Sequence, residues 1–147
     1  MRIWIDADGC PVVDITLRVA RACGVPCTIV CDTAHAFAPR DGMEVITVSQ
    51  GADSADFYLV NFARKGDVVI TQDYGLASMA LSKGARVINQ DGLEYTEFNI
   101  DALLLARHTA KKIRNAGGRL RGNPPRKSEQ DKAFEKKLRE VVLDKGF

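Results

Sequence analysis

The strongest constraint on the fold is a repeated order of short apolar runs and helical segments, with glycine or proline at the junctions. Ile3–Ile5 precedes a helix predicted from Pro11 to Cys23, which Gly24 should end. Further strands are predicted at 26–30, 45–48, 68–70 and 86–88, with helices at 53–65 and 74–83. Helices that end in glycine before a short, uniformly apolar strand are typical of β-α-β crossovers. The sequence therefore predicts an α/β fold with a mainly parallel central sheet of about five strands and helices on both faces.

The last third of the chain is predicted to be helical. A helix over 101–115 should turn four apolar residues inward, namely Leu103, Leu104, Leu105 and Ile113. After a Gly/Pro-rich break, Ser128 and Asp131 resemble a capping box that opens a final helix with a narrow apolar stripe. At 147 residues the chain is predicted to be one domain, 1–147, in which 101–147 is a basic helical extension.

The charge is divided unevenly along the chain. Residues 1–105 carry 8 Lys and Arg against 14 Asp and Glu, whereas residues 106–147 carry 13 against 5. An acidic body with a basic end suits a protein that gathers cations at one place and touches a polyanion at another, although a solvated helical surface is an equal alternative. The residues predicted to contact nucleic-acid phosphates in this basic end are Arg119, Arg121, Arg126 and Lys127. No aromatic residues are interleaved with them, so base stacking is not predicted.

The cysteines and the hydropathy pattern predict a cytoplasmic protein that does not enter a membrane. The sequence has no apolar stretch of about 18 residues and no secretory signal at its start. All four cysteines lie in the first quarter of the chain, with no partners elsewhere, so reduced thiols are expected. Self-association into a homo-oligomer is left open.

Acidic residues occupy the turns where the predicted strands end. Asp6 and Asp8 follow the first strand, Asp73 follows the fourth, and Asp53 and Asp56 open a helix. Parallel strands bring their carboxyl ends to one edge of the sheet, and ligands of open α/β sheets collect at that edge. We therefore expect these five carboxylates to meet. Each also has an alternative role as a turn residue or helix cap.

Five clustered carboxylates would repel one another, and a divalent cation would offset that repulsion. Mg²⁺ or Mn²⁺ is favoured, because hard ions take oxygen ligands. The predicted metal ligands are Asp6, Asp8, Asp53, Asp56 and Asp73, of which Asp6, Asp53 and Asp73 are also the predicted catalytic residues. Ser49 and Thr71 lie near enough in the predicted fold to hydrogen-bond a phosphate. Such a site can activate water for hydrolysis of a phosphodiester.

Three segments of the chain resemble the signature segments of the bacterial YaiI/YqxD family, which is regarded as PIN-domain-like. They are Ile5–Val12, Gly51–Asp56 and Val69–Ala77, and the resemblance extends to Gly122–Pro124 and the last helix. The resemblance implies a three-layer α/β/α sandwich and metal roles for the five aspartates, since PIN-type domains are metal-dependent ribonucleases with clustered acids. Many PIN nucleases carry Glu at the second acidic position, where this chain has Asp53 and Asp56.

These observations predict a Mg²⁺- or Mn²⁺-dependent nuclease that acts on RNA or other single-stranded nucleic acid. Two alternatives are kept. A haloacid-dehalogenase-like phosphatase would use Asp6 as nucleophile, Asp8 as acid and Thr71 after a second strand, but it also needs a lysine and a later acidic pair. Lys83 is followed by no such pair at a strand end. The second alternative is a non-catalytic nucleic-acid-binding module whose acids hold a structural ion.

Overall fold

The protein is described by a computed structural model over residues 1–33, 37–38, 40–49, 54–115, 117 and 125–144. In chain order its elements are β1 (Ile3–Asp6), α1 (Val13–Cys23), β2 (Cys27–Asp32), β3 (Met43–Val48), α2 (Ser54–Phe62), β4 (Val68–Ile70), α3 (Tyr74–Ser82), β5 (Arg86–Ile88), β6 (Glu94–Tyr95), α4 (Glu97–Asn115) and α5 (Ser128–Leu143). No helix in this described part is long and apolar enough to cross a membrane.

The strands form one sheet in the order β3-β2-β1-β4-β5-β6. The first five run parallel to one another, and β6 pairs antiparallel with β5. The predicted α/β fold with a mainly parallel central sheet is confirmed, with six strands rather than about five. The sixth was not predicted because its two residues are too few to show an apolar alternation.

Helices cover both faces of the sheet, which gives three layers. Alternate residues of β1 point to opposite faces, so that Ile3 and Ile5 belong to one core cluster and Trp4 to the other. The first cluster lies under α1 and α5, which also contact each other. The second lies under α2, α3 and the start of α4. Strands covered on both faces are largely apolar: β4 is apolar throughout, and β1 and β2 are largely apolar and end in aspartate.

A buried aspartate fastens β1 to the segment before β4 at the amino edge of the sheet. Asp67 is 7% exposed, and its Oδ2 accepts hydrogen bonds from the Trp4 Nε1 at 3.0 Å and the Arg64 amide at 2.9 Å. Its Oδ1 accepts from the Arg2 amide at 3.0 Å. These bonds satisfy three donors and fix the pairing of the two central strands.

Helix α4 begins four residues earlier than predicted and is less buried. Thr96 and Asn99 cap its start reciprocally: the Thr96 amide donates to Asn99 Oδ1 at 2.9 Å, and the Asn99 amide donates to Thr96 Oγ1 at 3.2 Å. Leu105 and Ile113, predicted to face inward, are 65% and 40% exposed. That prediction was wrong because, among the side chains whose burial is described, those that reach the core lie in the first two turns of this 19-residue helix.

Helix α5 begins at Ser128 as predicted, but its cap differs. Lys127 is the N-cap residue, and its backbone amide donates to Gln130 Oε1 at 2.6 Å. Asp131, which was predicted to close a capping box with Ser128, accepts instead from the Arg126 guanidinium. The apolar stripe is confirmed, since its members are buried: Phe134, Leu138, Val141 and Val142.

Candidate functional site

The strand order places a crevice at the carboxyl ends of β1 and β4. These strands are neighbours, yet the helix after β1 packs on one face of the sheet and the helix after β4 packs on the other. The chain therefore leaves the two strands in opposite directions, and the resulting opening is where ligands of open α/β sheets bind. Asp6 ends β1, and Thr71 directly follows β4.

Asp6 is a buried carboxylate held by a buried hydroxyl. It is 8% exposed, and Thr71, which is 2% exposed, donates a hydrogen bond from Oγ1 to Asp6 Oδ2 at 2.8 Å. The Asp8 amide donates to Asp6 Oδ1 at 3.4 Å. Burial raises the pKa of Asp6, and the charges of Asp8 and Asp73 raise it further, while the two hydrogen bonds oppose the shift. Ionisation of Asp6 is therefore unfavourable in the folded protein. A bound cation would stabilise the ionised form.

Asp73 is linked to Asp6 through the same threonine. Its amide donates to Thr71 Oγ1 at 3.0 Å, so this hydroxyl connects the two acidic residues. Asp73 is also the N-cap of α3, and its Oδ1 accepts from the amides of Gly75 at 2.8 Å and Leu76 at 3.1 Å. The capping role given as an alternative is therefore real. Both bonds use one oxygen, and among the described residues Oδ2 carries no hydrogen bond.

The loops after β1 and β4 are tied together beside Asp8. Gln72 donates from Nε2 to the Gly9 carbonyl at 2.6 Å. Gly9 has a φ of +63°, a conformation that glycine adopts without strain and that reverses the chain immediately after Asp8. Asp8 itself is exposed. The two loops thus lie together at the switch point, with the buried acid Asp6 at the end of β1 and the exposed acid Asp8 in the loop that follows it.

Two further predicted metal ligands belong to the segment that leads into α2. Asp53 lies outside the described residues, and Asp56 stands in the first turn of α2. In the part of the chain that is described, no group of three or more Asp, Glu, His or Cys side chains is arranged to hold a metal ion. The charges of Asp8 and Asp73 both act on Asp6.

The residues predicted to contact phosphate do not lie together in the described structure. Ser49 is exposed after β3, which is separated from β1 by β2, so it lies about 10 Å to the side of Asp6. The Thr71 hydroxyl donates its hydrogen bond to Asp6. It therefore positions this carboxylate and does not donate to a phosphate in this arrangement. Arg119 and Arg121 lie outside the described residues. Lys127 is exposed at the start of α5.

Arg126 binds protein groups rather than lying free for phosphate. Its guanidinium contacts Asp91 Oδ1 at 2.8 Å, Asp131 Oδ1 at 2.7 Å and the Gln90 carbonyl at 2.7 Å. It thereby joins the turn after β5 to the start of α5. Its charge also reaches Cys10, where burial raises the thiol pKa to about 11 and Arg126 opposes that rise. The sequence did not predict this network. Asp91 is far from Arg126 in the chain, and Asp131 was predicted to belong to a capping box with Ser128.

The cysteines are free thiols, as expected. Cys10 and Cys23 are partly buried, and Cys27 and Cys31 are fully buried. Burial raises the pKa of Cys27 to about 12, which makes it a poor nucleophile and supports a packing role.

The fold and the crevice define an α/β protein with an acidic site at its topological switch point. Residues 4–144 match the model of the uncharacterised bacterial YaiI/YqxD family, so the chain belongs to that family. A UPF0178 protein of Exiguobacterium sibiricum is 48% identical over 145 residues, covering 99% of each chain. A second, of Ruminiclostridium cellulolyticum, is 50% identical over 139 residues, covering 94% of this chain and 90% of its own. No solved structure gives a significant match.

Proposed function

We propose that the protein is a divalent-metal-dependent nuclease that hydrolyses phosphodiester bonds of RNA or other single-stranded nucleic acid. The observation that carries this proposal is the buried carboxylate of Asp6 at the switch point, held by Thr71 and flanked by Asp8 and Asp73. A protein rarely buries a carboxylate beside two others unless a cation or a proton is to be bound there.

The donor set fits Mg²⁺ or Mn²⁺. All the candidate ligands are carboxylate oxygens, and Mg²⁺ is commonly held by one or two carboxylates, several waters and a phosphate of the substrate. A site of this kind does not need three side chains that already enclose the ion. Asp6 and Asp8 would hold it, with Asp73 beside them and with Asp53 and Asp56 as the further predicted ligands. When bound, the ion would supply an acidified water and neutralise charge on the phosphodiester.

The chain's own residues prepare the crevice for this chemistry. Thr71 fixes one oxygen of Asp6, and among the described residues the other oxygen accepts only a long bond from the Asp8 amide. The hydrogen bond from Gln72 to the Gly9 carbonyl ties the two loops together. Because the pKa of Asp6 is raised, cation binding should release protons over the range in which Asp6 titrates.

The basic end of the chain supports a polyanionic substrate. Lys111 on α4 and Lys127 before α5 are exposed, and they belong to the segment with 13 basic against 5 acidic residues. Such a surface attracts a phosphate backbone without reading its sequence. The acidic crevice alone would repel that backbone, so binding and cleavage require the two charged regions together.

The phosphatase alternative is weaker. Thr71 does follow the strand next to Asp6, as that mechanism requires. Lys83, however, ends α3 and donates from Nζ to the carbonyls of Val60 and Asn61 near the end of α2. The ends of these helices precede β4 and β5, so Lys83 lies at the amino edge of the sheet, away from Asp6.

The decisive experiment compares three substrate classes with wild type and two matched variants. Single-stranded RNA, single-stranded DNA and a small phosphate monoester are incubated with Mn²⁺, with Mg²⁺ or with chelator. We expect cleavage of a single-stranded nucleic acid with either ion, none with chelator, and a loss of at least about 100-fold in Asp6→Asn. Asp41→Asn, a change of an exposed acid elsewhere, should cleave normally.

The other outcomes identify the alternatives. Phosphate release from the monoester, with a phosphorylated Asp6 trapped by mass spectrometry, would assign the protein as a phosphatase. Nucleic-acid binding that persists in Asp6→Asn and Asp73→Asn, without cleavage under any condition, would assign it as a binding module.

A further inference from the structure

The outer face of α4 carries an apolar stripe that nothing in the described structure covers. Phe98 is 95% exposed, Leu105 is 65% exposed and Ile113 is 40% exposed. Ala102 and Thr109, also exposed, fall between them. The spacing of these five positions is four, three, four and four residues, which places them within about 80° of arc on a helix. The stripe lies on the side opposite Ile100, which is buried in the core.

Charged residues along one flank of the stripe change sign from one end to the other. Asp101 lies on this flank near the start of α4, and Lys112 lies on the same flank near its end. Both side chains are exposed. On the opposite flank the stripe is bordered by Ala106. The stripe is therefore apolar at its centre, acidic at one end and basic at the other.

We propose that two copies of this chain associate through α4, packed antiparallel about a two-fold axis near Leu105. In this arrangement Phe98 of each copy packs near Ile113 of the other, and the two Leu105 side chains meet at the centre. Antiparallel helices bring the same flank of each helix together. Asp101 of each copy then lies beside Lys112 of the other, which gives two symmetric ion pairs.

The pattern does not suit the other simple arrangement or another class of partner. In a parallel pair of α4 helices, the flank with Asp101 would face the other helix's flank with Ala106. Asp101 would then have no lysine to pair with. A nucleic acid would not bind this stripe, because exposed Phe, Leu and Ile side chains offer no contact to phosphate and the neighbouring acid repels it. A self-complementary stripe is what a two-fold interface requires, because the same surface serves both partners.

The size of the stripe sets the expected strength. Residues 98–113 span about 24 Å of helix. One helix face of this length is too small to bury the roughly 800 Å² per partner of a standard interface. We therefore expect a dimer whose dissociation constant lies in the micromolar range, and sedimentation velocity over a wide range of concentration should show a reversible monomer–dimer equilibrium.

Charge reversal tests the orientation. Asp101→Lys and Lys112→Asp should each weaken dimerisation about 10-fold to 100-fold, because each replaces two attractions by two repulsions. An equimolar mixture of the two variants should recover dimers, since both ion pairs re-form between unlike chains. Lys111→Asp, the same change one residue away on a different face, should leave the equilibrium unchanged.

The apolar centre is tested by Leu105→Glu, which should abolish the dimer at all accessible concentrations. Leu143→Glu is the matched control, because Leu143 is 64% exposed at the end of α5. The proposal is overturned if the wild type is monomeric throughout, if Leu105→Glu still dimerises, or if the mixture of charge variants fails to recover dimers. All of these measurements are made without substrate or metal, so they stand apart from the proposed nuclease activity.

Discussion

Asp6 and Thr71 form the central pair of the candidate site. Their side chains are almost completely buried, and the hydrogen bond between them joins the ends of two neighbouring strands. A carboxylate in this position is fixed in orientation before any ligand arrives, so less ordering is needed when one binds. The arrangement also makes ionisation of Asp6 unfavourable in the absence of a cation.

That cost predicts a pH-dependent effect of Asp6→Asn on stability. Because the pKa of Asp6 is raised in the folded protein, the folded state holds this proton more tightly than the unfolded chain, and stability is lost as the pH rises through this range. With chelator present, Asp6→Asn should increase the free energy of unfolding at about pH 7 and change it little at about pH 3. Urea denaturation measures both. A variant that is markedly less stable at about pH 7 would contradict the prediction.

Thr71→Val tests the positioning role of the hydroxyl. The substitution keeps the side-chain volume but removes the donor to Asp6 and the acceptor for the Asp73 amide. We expect Mn²⁺ to bind about 10-fold to 100-fold more weakly, as is usual when a group that orients a metal ligand is removed. Isothermal titration calorimetry measures the affinity, and Thr71→Ser should restore most of it. Equal Mn²⁺ affinity in the valine variant would show that Thr71 serves only the fold.

At the level of elements, α5 closes one layer of the protein and depends on a close turn. The turn between β5 and β6 contains Gly92, whose φ is +85° and whose Cα lies against the backbone of α5. Arg126 bridges the same turn to the start of α5 through Asp91. The final helix is thus fixed at its beginning by backbone contact and by an ion pair.

Gly92→Ala should destabilise the protein strongly, because a Cβ there would stand 2.7 Å from the Ala133 carbonyl oxygen. Gly24→Ala is the matched control: Gly24 has a φ of +67°, but nothing lies within 4 Å of its added Cβ. We expect about 1 kcal/mol of lost stability at Gly24 from the backbone conformation alone, and at least about 2 kcal/mol more at Gly92. Thermal or urea unfolding compares the two, and equal losses would refute the predicted clash.

For the molecule as a whole, the separation of charge is the property most relevant to the proposed substrate. The acidic crevice belongs to the parallel sheet, whereas 13 of the 21 Lys and Arg residues belong to the last 42 residues. If these basic residues hold a phosphate backbone, affinity must depend steeply on salt.

Arg119→Ala combined with Arg121→Ala should weaken nucleic-acid binding uniformly across sequences. It should also reduce the slope of log affinity against log salt concentration by about 2, since two phosphate contacts are lost. Fluorescence anisotropy with labelled single-stranded RNA measures the slope. Lys132→Ala combined with Lys136→Ala removes the same charge from the exposed side of α5 and should have a smaller effect. An unchanged slope in the double arginine variant would assign Arg119 and Arg121 another role.

Local patterns in the sequence were sufficient for most elements. The strands at 68–70 and 86–88 were predicted with their observed bounds, and Gly24 ends α1 in the left-handed conformation expected of it. These features depend on backbone geometry and apolar runs, which act over a few residues. The two-residue β6 was missed because it is too short to show an apolar alternation and is defined by its pairing with β5.

By itself, the sequence determined that Asp6 and Asp73 would lie at one edge of a parallel sheet, because parallel strands have their carboxyl ends at the same edge. Only the tertiary structure decided what these residues contact there. It placed the Thr71 hydroxyl on Asp6, engaged Arg126 with Asp91 and Asp131, and left Leu105 exposed on α4. The physical reason is that strand direction follows from local chain geometry, whereas burial and the partners of a charged group depend on residues far apart in the chain.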